Sequence, residues 1–223
     1  MLKWKNKEFR EMGLIVEKTP DISKANKKIT IYDVPGRNGF ISVDNNTYES
    51  FSLSVECHLS EDLNINEICE WLDGYGTLSF DGEKQYTAIV NNSINFQKVQ
   101  MFKKIIIQFL VNPIAEDITE TTYTVSSSPD EFELATYSNI YPTLEITVSG
   151  LSTIAVNGTT FTISEAGDYI LDCKNKVITK NGLNASLKMN GDFPILNKEN
   201  TITYSENVSS FVIKYKKTYL YGG

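Results

Sequence analysis

The chain has 223 residues, 41% of them hydrophobic and 22% charged, with a formal net charge of −7. That length accommodates two compact domains or one large β domain. Its lysines form only short, scattered groups (Lys24 with Lys27 and Lys28; Lys214 with Lys216 and Lys217), so an acidic chain of this kind releases few counterions from a phosphate backbone, which argues against nucleic acid as a partner. No stretch approaches the roughly 18 apolar residues that span a bilayer. Met1–Asn6 lacks the apolar core of a signal peptide, so a soluble product made in the cytoplasm is expected. Cys57, Cys69 and Cys173 are odd in number and form no CxxC pair; reduced, partly buried thiols are expected.

In chain order, the first half reads as short strands broken by one helix. Residues Lys28–Tyr32, Phe40–Val43 and Ser50–Leu59 are extended, the last with Phe51, Leu53, Val55 and Cys57 on one face. Pro35-Gly36-Arg37-Asn38-Gly39 and Asp44-Asn45-Asn46 supply the turns between them. A helix is expected at about 64–73, because Ile65, Ile68 and Leu72 share one face beside Trp71. Asn64 is placed to cap the amide of Glu67 in capping-box fashion, and Gly74 to end the helix in a left-handed conformation. So short a helix holds only if it docks on the sheet. Thr77–Phe80 and Gln85–Asn91 then flank Asp81-Gly82 as a hairpin, followed by Ile94–Met101 and Lys104–Val111. The run Ile105-Ile106-Ile107 reads as a strand buried on both faces, which Pro113 stops.

From Ala115 to Asp130 the texture becomes rich in Thr, Ser and Glu. The chain therefore divides into domains at 1–122 and 139–223, with 123–138 an extended connector that carries at most one strand. Beyond it, Asn157-Gly158, Lys174-Asn175, Asn181-Gly182 and Asn190-Gly191 punctuate short runs including Ser152–Val156, Thr159–Ile163, Tyr169–Cys173 and Lys176–Thr179. Asn-Gly between alternating runs is a strong hairpin signal, since both residues tolerate positive φ. With Leu183–Met189, Thr201–Tyr204 and Ser210–Lys216, these make a β-sandwich or jelly-roll.

Chemistry-bearing patterns are sparse. The single histidine, His58, ends a strand and has neither a second histidine for a metal nor a spaced nucleophile and acid. The loop Pro35–Gly39 lacks the Lys-Ser/Thr ending of a phosphate loop and opens no helix. It reads either as a plain tight turn or as a rigid mount that presents Arg37 for a fork-like ion pair at a subunit contact. The acidic pairs Glu61-Asp62, Glu116-Asp117 and Asp130-Glu131 with Glu133 fall in turns or the connector, where charge is solvation. Tyr141, Tyr169, Tyr204, Phe211, Tyr215, Tyr219 and Tyr221 are candidate sugar-stacking aromatics, most of them expected to fill or edge the second core. No catalytic, cofactor-binding or metal-binding residue is predicted, and no enzyme.

Several ordered segments resemble a known family. They are Gly13-Leu14-Ile15-Val16, Val34-Pro35-Gly36-Arg37-Asn38-Gly39, Trp71-Leu72-Asp73-Gly74-Tyr75-Gly76-Thr77-Leu78-Ser79-Phe80 and Tyr86-Thr87-Ala88. In the second half, Tyr141–Ile146, Ile154–Gly158, Tyr169–Asp172 and Gly191–Pro194 continue the match. The family is the distal tail protein of siphophages, also called the phage tail component. A departure is Asn197-Lys198-Glu199-Asn200, where the family often has a glycine-asparagine turn. The resemblance implies a mainly β chain, with an N-terminal β-sandwich-like, ring-forming domain and a C-terminal galectin-like sandwich. It implies a structural hub in the virion tail that joins the tail tube to the tail tip or baseplate and the receptor-binding apparatus. Implied partners are other copies in a homo-hexameric ring, the tube protein, tail-tip proteins and receptor-binding proteins, with no membrane insertion. Pro35, Gly36, Arg37, Asn38 and Gly39 would make the ring contact or brace the fold, and Ile65, Ile68, Trp71 and Leu72 would dock the helix. The alternative reading is a carbohydrate-binding module that holds cell-surface glycans on its second sandwich.

Overall fold

The computed structural model describes residues 2–60, 64–94 and 103–220. The expected strand Ile94–Met101 (Ile94 apart), the pair Glu61-Asp62 and Tyr221 lie outside the described residues. The chain is mainly β, with 55% strand and one α-helix among the described residues. It forms two compact units, the first of Met1–Ile118 with Leu220–Gly223 and the second of Thr119–Tyr219.

Unit 1 contains β1 (Lys3–Trp4), β2 (Lys7–Glu8), a 3-10 turn (Phe9–Met12), β3 (Leu14–Val16), β4 (Lys27–Asp33), β5 (Phe40–Tyr48), β6 (Phe51–Leu59), α1 (Ile65–Leu72), β7 (Tyr75–Ser79), β8 (Lys84–Val90) and β9 (Lys104–Asp117). Its main sheet runs β2-β1-β7-β8-β9-β6-β3, antiparallel throughout. Along β6 the alternation is strict, with Leu53, Val55 and Cys57 buried and Ser52, Ser54, Glu56 and His58 outward. Strand β9 follows the same rule. Ile105 and Ile107 are buried, but Ile106 lies outward opposite Glu56 and is 45% exposed, so the triple isoleucine is not buried on both faces. Only one face of this sheet meets the core at that point. Nor does Pro113 end the strand. Between the pairs Tyr86↔Ala115 and Ala88↔Val111 the register shifts, and Pro113 falls in the resulting bulge, where no ladder amide is demanded of it.

Helix α1 begins where Asn64 Oδ1 accepts the Glu67 amide at 3.4 Å. Ile68, Trp71 and Leu72 are buried and Ile65 is half-buried. The two tryptophans exchange hydrogen bonds: Trp4 Nε1 donates to the Trp71 carbonyl at 3.0 Å, and Trp71 Nε1 donates to the Trp4 carbonyl at 3.1 Å. Phe9 packs edge-on against Trp71 and Phe109, and Phe109 lies tilted against Trp4. This reciprocal clasp satisfies both indoles in a dry environment and fixes the helix to β1.

Unit 2 contains β10 (Thr121–Thr124), β11 (Asp130–Glu133), β12 (Thr143–Val148), β13 (Ser152–Val156), β14 (Thr159–Ile163), β15 (Gly167–Asp172), β16 (Val177–Lys180), β17 (Leu183–Asn184), a 3-10 turn (Ser186–Lys188), β18 (Met189–Gly191), β19 (Glu199–Tyr204) and β20 (Val208–Tyr215). Two sheets, β10-β20-β12-β15-β16-β17 and β11-β19-β13-β14-β18, enclose one core that includes Leu144, Ile146, Ile154, Phe161, Tyr169, Leu171, Ile202, Phe211 and Ile213. The segment 123–138, expected as a connector, contributes to both sheets. Tyr123 in β10 pairs with Ile213, Phe132 in β11 pairs with Asn200, and the two rings stack at 4.2 Å. The run Leu183–Met189 is likewise not one strand. Asn184 Oδ1 accepts the Ser186 amide at 2.9 Å and starts a corner that carries the chain from one sheet to the other.

Candidate assembly surface

The arm β4–β5 pairs with no strand of the main sheet of unit 1 among the described residues. It forms a two-stranded sheet of its own, and nearly all of its residues are exposed. Seven of the eighteen exposed large hydrophobic side chains among the described residues fall between Ile29 and Val43. The register Asp33↔Phe40, Tyr32↔Ile41, Ile31↔Ser42 and Ile29↔Asp44 divides them between the two faces. Ile29, Ile31 and Phe40 lie on one face, with Tyr32, Ile41 and Val43 on the other. An isolated two-stranded hairpin is marginal in water, and an apolar surface on both of its faces makes solvent a poor partner for either.

Local chemistry holds the arm in shape. Lys27 pairs with Asp44 across the strands, and Asp44 Oδ1 also accepts the Asn46 amide at 2.8 Å. The Lys27 ammonium, aided by that amide, holds the Asp44 carboxyl below the usual carboxylate range, and the same contact raises Lys27. Asp44-Asn45-Asn46, expected as a turn, therefore lies inside β5. Asn46 at φ +53° is absorbed as a bulge opposite Lys27–Ile29, and the pairing runs on past Tyr48, where the Glu49 amide donates to the Asn26 carbonyl at 2.8 Å. At the tip, the Arg37 amide donates to the Val34 carbonyl at 3.2 Å. Gly36 and Gly39 take φ of +79° and +85°, which an L side chain resists, so both glycines are needed for the loop. Arg37 itself is exposed and makes no ion pair among the described residues.

Sequence reasoning located the tip but not the bare faces behind it, because alternating apolar residues read equally well as a core strand. The remaining candidates disperse. His58 Nε2 lies 3.1 Å from Glu17, and Lys104 bridges Glu17 at 2.8 Å and Glu56 at 3.0 Å. This surface cluster ties edge strand β3 to β6 and β9, and the hydrogen bond from Lys104 lowers the Glu17 carboxyl. Glu116 accepts from Gln85 at 2.9 Å, and Asp130 accepts from the Tyr123 hydroxyl at 2.9 Å. Burial pushes the Cys57 and Cys173 thiols up to about 12, while Cys69 is exposed. No group of His, Cys, Asp and Glu among the described residues has the arrangement of a metal site. No described helix is long and apolar enough to cross a membrane. Of the second-unit aromatics, Tyr169, Phe211 and Tyr215 are buried, Tyr204 and Tyr219 are half-buried, and Tyr141 is exposed.

The sequence matches no protein-family model and no curated protein. Among solved structures, SPP1 Dit (gp 19.1), described as a paradigm of the hub adsorption apparatus in phages that infect Gram-positive bacteria, matches with a TM-score of 0.75. The match covers 98% of this chain and 98% of that one, at 12% sequence identity. The chain has the Dit fold. At that identity the likeness lies in the path of the backbone through both units, from β1 to the last strand of the second sandwich. Function rests on what individual surfaces of this chain offer.

Proposed function

We propose that the chain is a structural protein of a phage tail, a hub at its distal end that joins the tail tube to the tail tip or baseplate and the receptor-binding apparatus. In this reading unit 1 closes a homo-hexameric ring through the β4–β5 arm, and unit 2, as a galectin-type sandwich, faces outward toward receptor-binding proteins. The observation that carries it is the arm. Covering the exposed halves of seven large apolar side chains is worth roughly 5–10 kcal/mol. That lies within the several kcal/mol that association consumes in lost freedom, so the arm supplies a substantial share of a contact while flanking surfaces supply the rest. A second copy is the occupant that suits it, because an arm seated head-to-tail on the next subunit closes into a ring. Arg37, without an ion pair among the described residues, meets a carboxylate of that neighbour. The fold shared with a hub protein supports the same assignment, and a chain whose work is contact needs no catalytic cluster.

Light scattering across concentration, with negative-stain images of the same sample, tests the ring. Phe40→Asp is expected to leave a folded single copy, and Arg37→Ala to weaken assembly less. A ring that survives Phe40→Asp removes the arm from the contact. The glycan-binding alternative draws less support, since Tyr141 is the one exposed member of its candidate aromatics among the described residues.

A further inference from the structure

Four Asn-Gly pairs occur in the chain: Asn38-Gly39, Asn157-Gly158, Asn181-Gly182 and Asn190-Gly191. Each is a latent self-modification site, because a glycine with no side chain leaves its backbone nitrogen free to approach the preceding amide. The nitrogen attacks the asparagine Cγ and closes a five-membered succinimide. The side-chain amide departs as ammonia, carrying the proton from the glycine nitrogen. Water then opens either ring carbonyl, leaving aspartate or isoaspartate. No oxidant or cofactor enters, so the fold alone decides which pair reacts.

The fold separates the four. Asn157 is locked: its Nδ2 donates to the Ile195 carbonyl at 2.9 Å and to Asn200 Oδ1 at 2.8 Å, and its Oδ1 accepts the Thr201 amide at 3.0 Å. Asn190 and Gly191 lie in β18, paired with Thr162 and Phe161 of β14, and Gly191 is pressed so close to that strand that a side-chain carbon would meet the Thr160 carbonyl at 2.5 Å, so the ladder holds the backbone on both sides of the amide. Asn181 and Gly182, at φ +51° and +77°, are the two central residues of a tight hairpin turn closed by Lys180↔Leu183, which fixes the backbone between amide and nitrogen. Asn38 has none of these restraints. It follows the Val34–Arg37 turn, in the loop between the last strand pair Asp33↔Phe40. It is exposed and makes no hydrogen bond among the described residues, and a side-chain carbon at Gly39 would meet nothing within 4 Å beyond its chain neighbours.

We propose that Asn38 is the deamidation site of this chain, where conversion sets a carboxylate beside Arg37 at the tip of the arm. Because the reaction is intramolecular, it proceeds whether or not the arm builds a ring, provided that the tip is uncovered. The full-length protein, diluted until light scattering gives the mass of one copy, is incubated at mildly alkaline pH beside a urea-unfolded sample. Both are digested and mapped by mass spectrometry, with fragmentation that tells aspartate from isoaspartate. In the folded sample Asn38 converts at least roughly fivefold faster than Asn157 or Asn190, the factor that one retained hydrogen bond of ordinary net strength imposes, and ahead of Asn181. In urea the four rates converge. Equal rates in the folded sample, an earlier loss of any other pair, or an intact Asn38 beside a converted unfolded control overturns the assignment.

Discussion

Two hairpins of this chain obey the same alternating rule and end in opposite environments. In β13–β14, Ile154, Val156, Phe161 and Ile163 all point inward and are buried, while Thr153, Ala155, Thr160 and Thr162 form the outward row. The pattern matches a strand pair with one face on a core and one in water. In β4–β5, apolar residues occupy both rows, and the molecule buries neither. Its strands thus carry apolar side chains on two faces where β13–β14 carries them on one, and their own chain covers only about half of each. The difference marks where folding of one copy ends and where assembly begins.

Substitution breaks the comparison most sharply at the matched phenylalanines. Phe161→Ala opens a cavity in unit 2 and is expected to cost about 3–5 kcal/mol, visible as a large drop in the unfolding midpoint by calorimetry. Phe40→Ala is expected to change the stability of a single copy by less than about 0.5 kcal/mol and to show its effect in assembly alone. If both variants lower the midpoint equally, the arm is packed in the free chain and the contrast fails. A smaller loss is expected in unit 1 from Trp71→Phe. It removes one of the two reciprocal indole hydrogen bonds, the one donated to the Trp4 carbonyl, and costs about 0.5–1.5 kcal/mol in denaturant titration. The smallest effect is alkaline. The folded Cys57 and Cys173 thiols keep their protons to about 12, whereas the unfolded chain releases them near the ordinary 9.0. Their contribution is therefore complete below pH 9.0 and lost as pH climbs toward about 12. Thiol labelling of the native protein should find Cys69 alone at neutral pH, and labelling of Cys57 at the same rate would contradict its burial.

Much of the architecture is legible in the residues. Strand β6 declares itself through Leu53, Val55 and Cys57, helix α1 through Ile68 and Leu72, and the second sandwich through Asn157-Gly158 and Asn181-Gly182 at its corners. What escaped depends on partners distant in sequence. Ile106 looks like its neighbours until Glu56 is placed opposite, and Pro113 looks like a stop until the bulge against β8 appears. Tyr123 and Phe132 sit in polar texture and join sheets only because β20 and β19 lie beside them. The clasp between Trp4 and Trp71 spans 67 positions that no local period links. The candidate surface was half legible: its tip carries turn chemistry in Pro35, Gly36 and Gly39, but the two apolar faces behind it look like core, and what covers them is not encoded in local sequence.

The tryptophan clasp also gives the molecule an optical address. Trp4 and Trp71 are the chain's two tryptophans, and both reside in one dry cluster of unit 1, whereas unit 2 holds tyrosines and phenylalanines but no tryptophan. Indole fluorescence excited at the red edge therefore reports on unit 1 by itself, while circular dichroism weighs both units together. Should the two melt at different temperatures, the separation of those signals reveals which unit yields first, with no label attached.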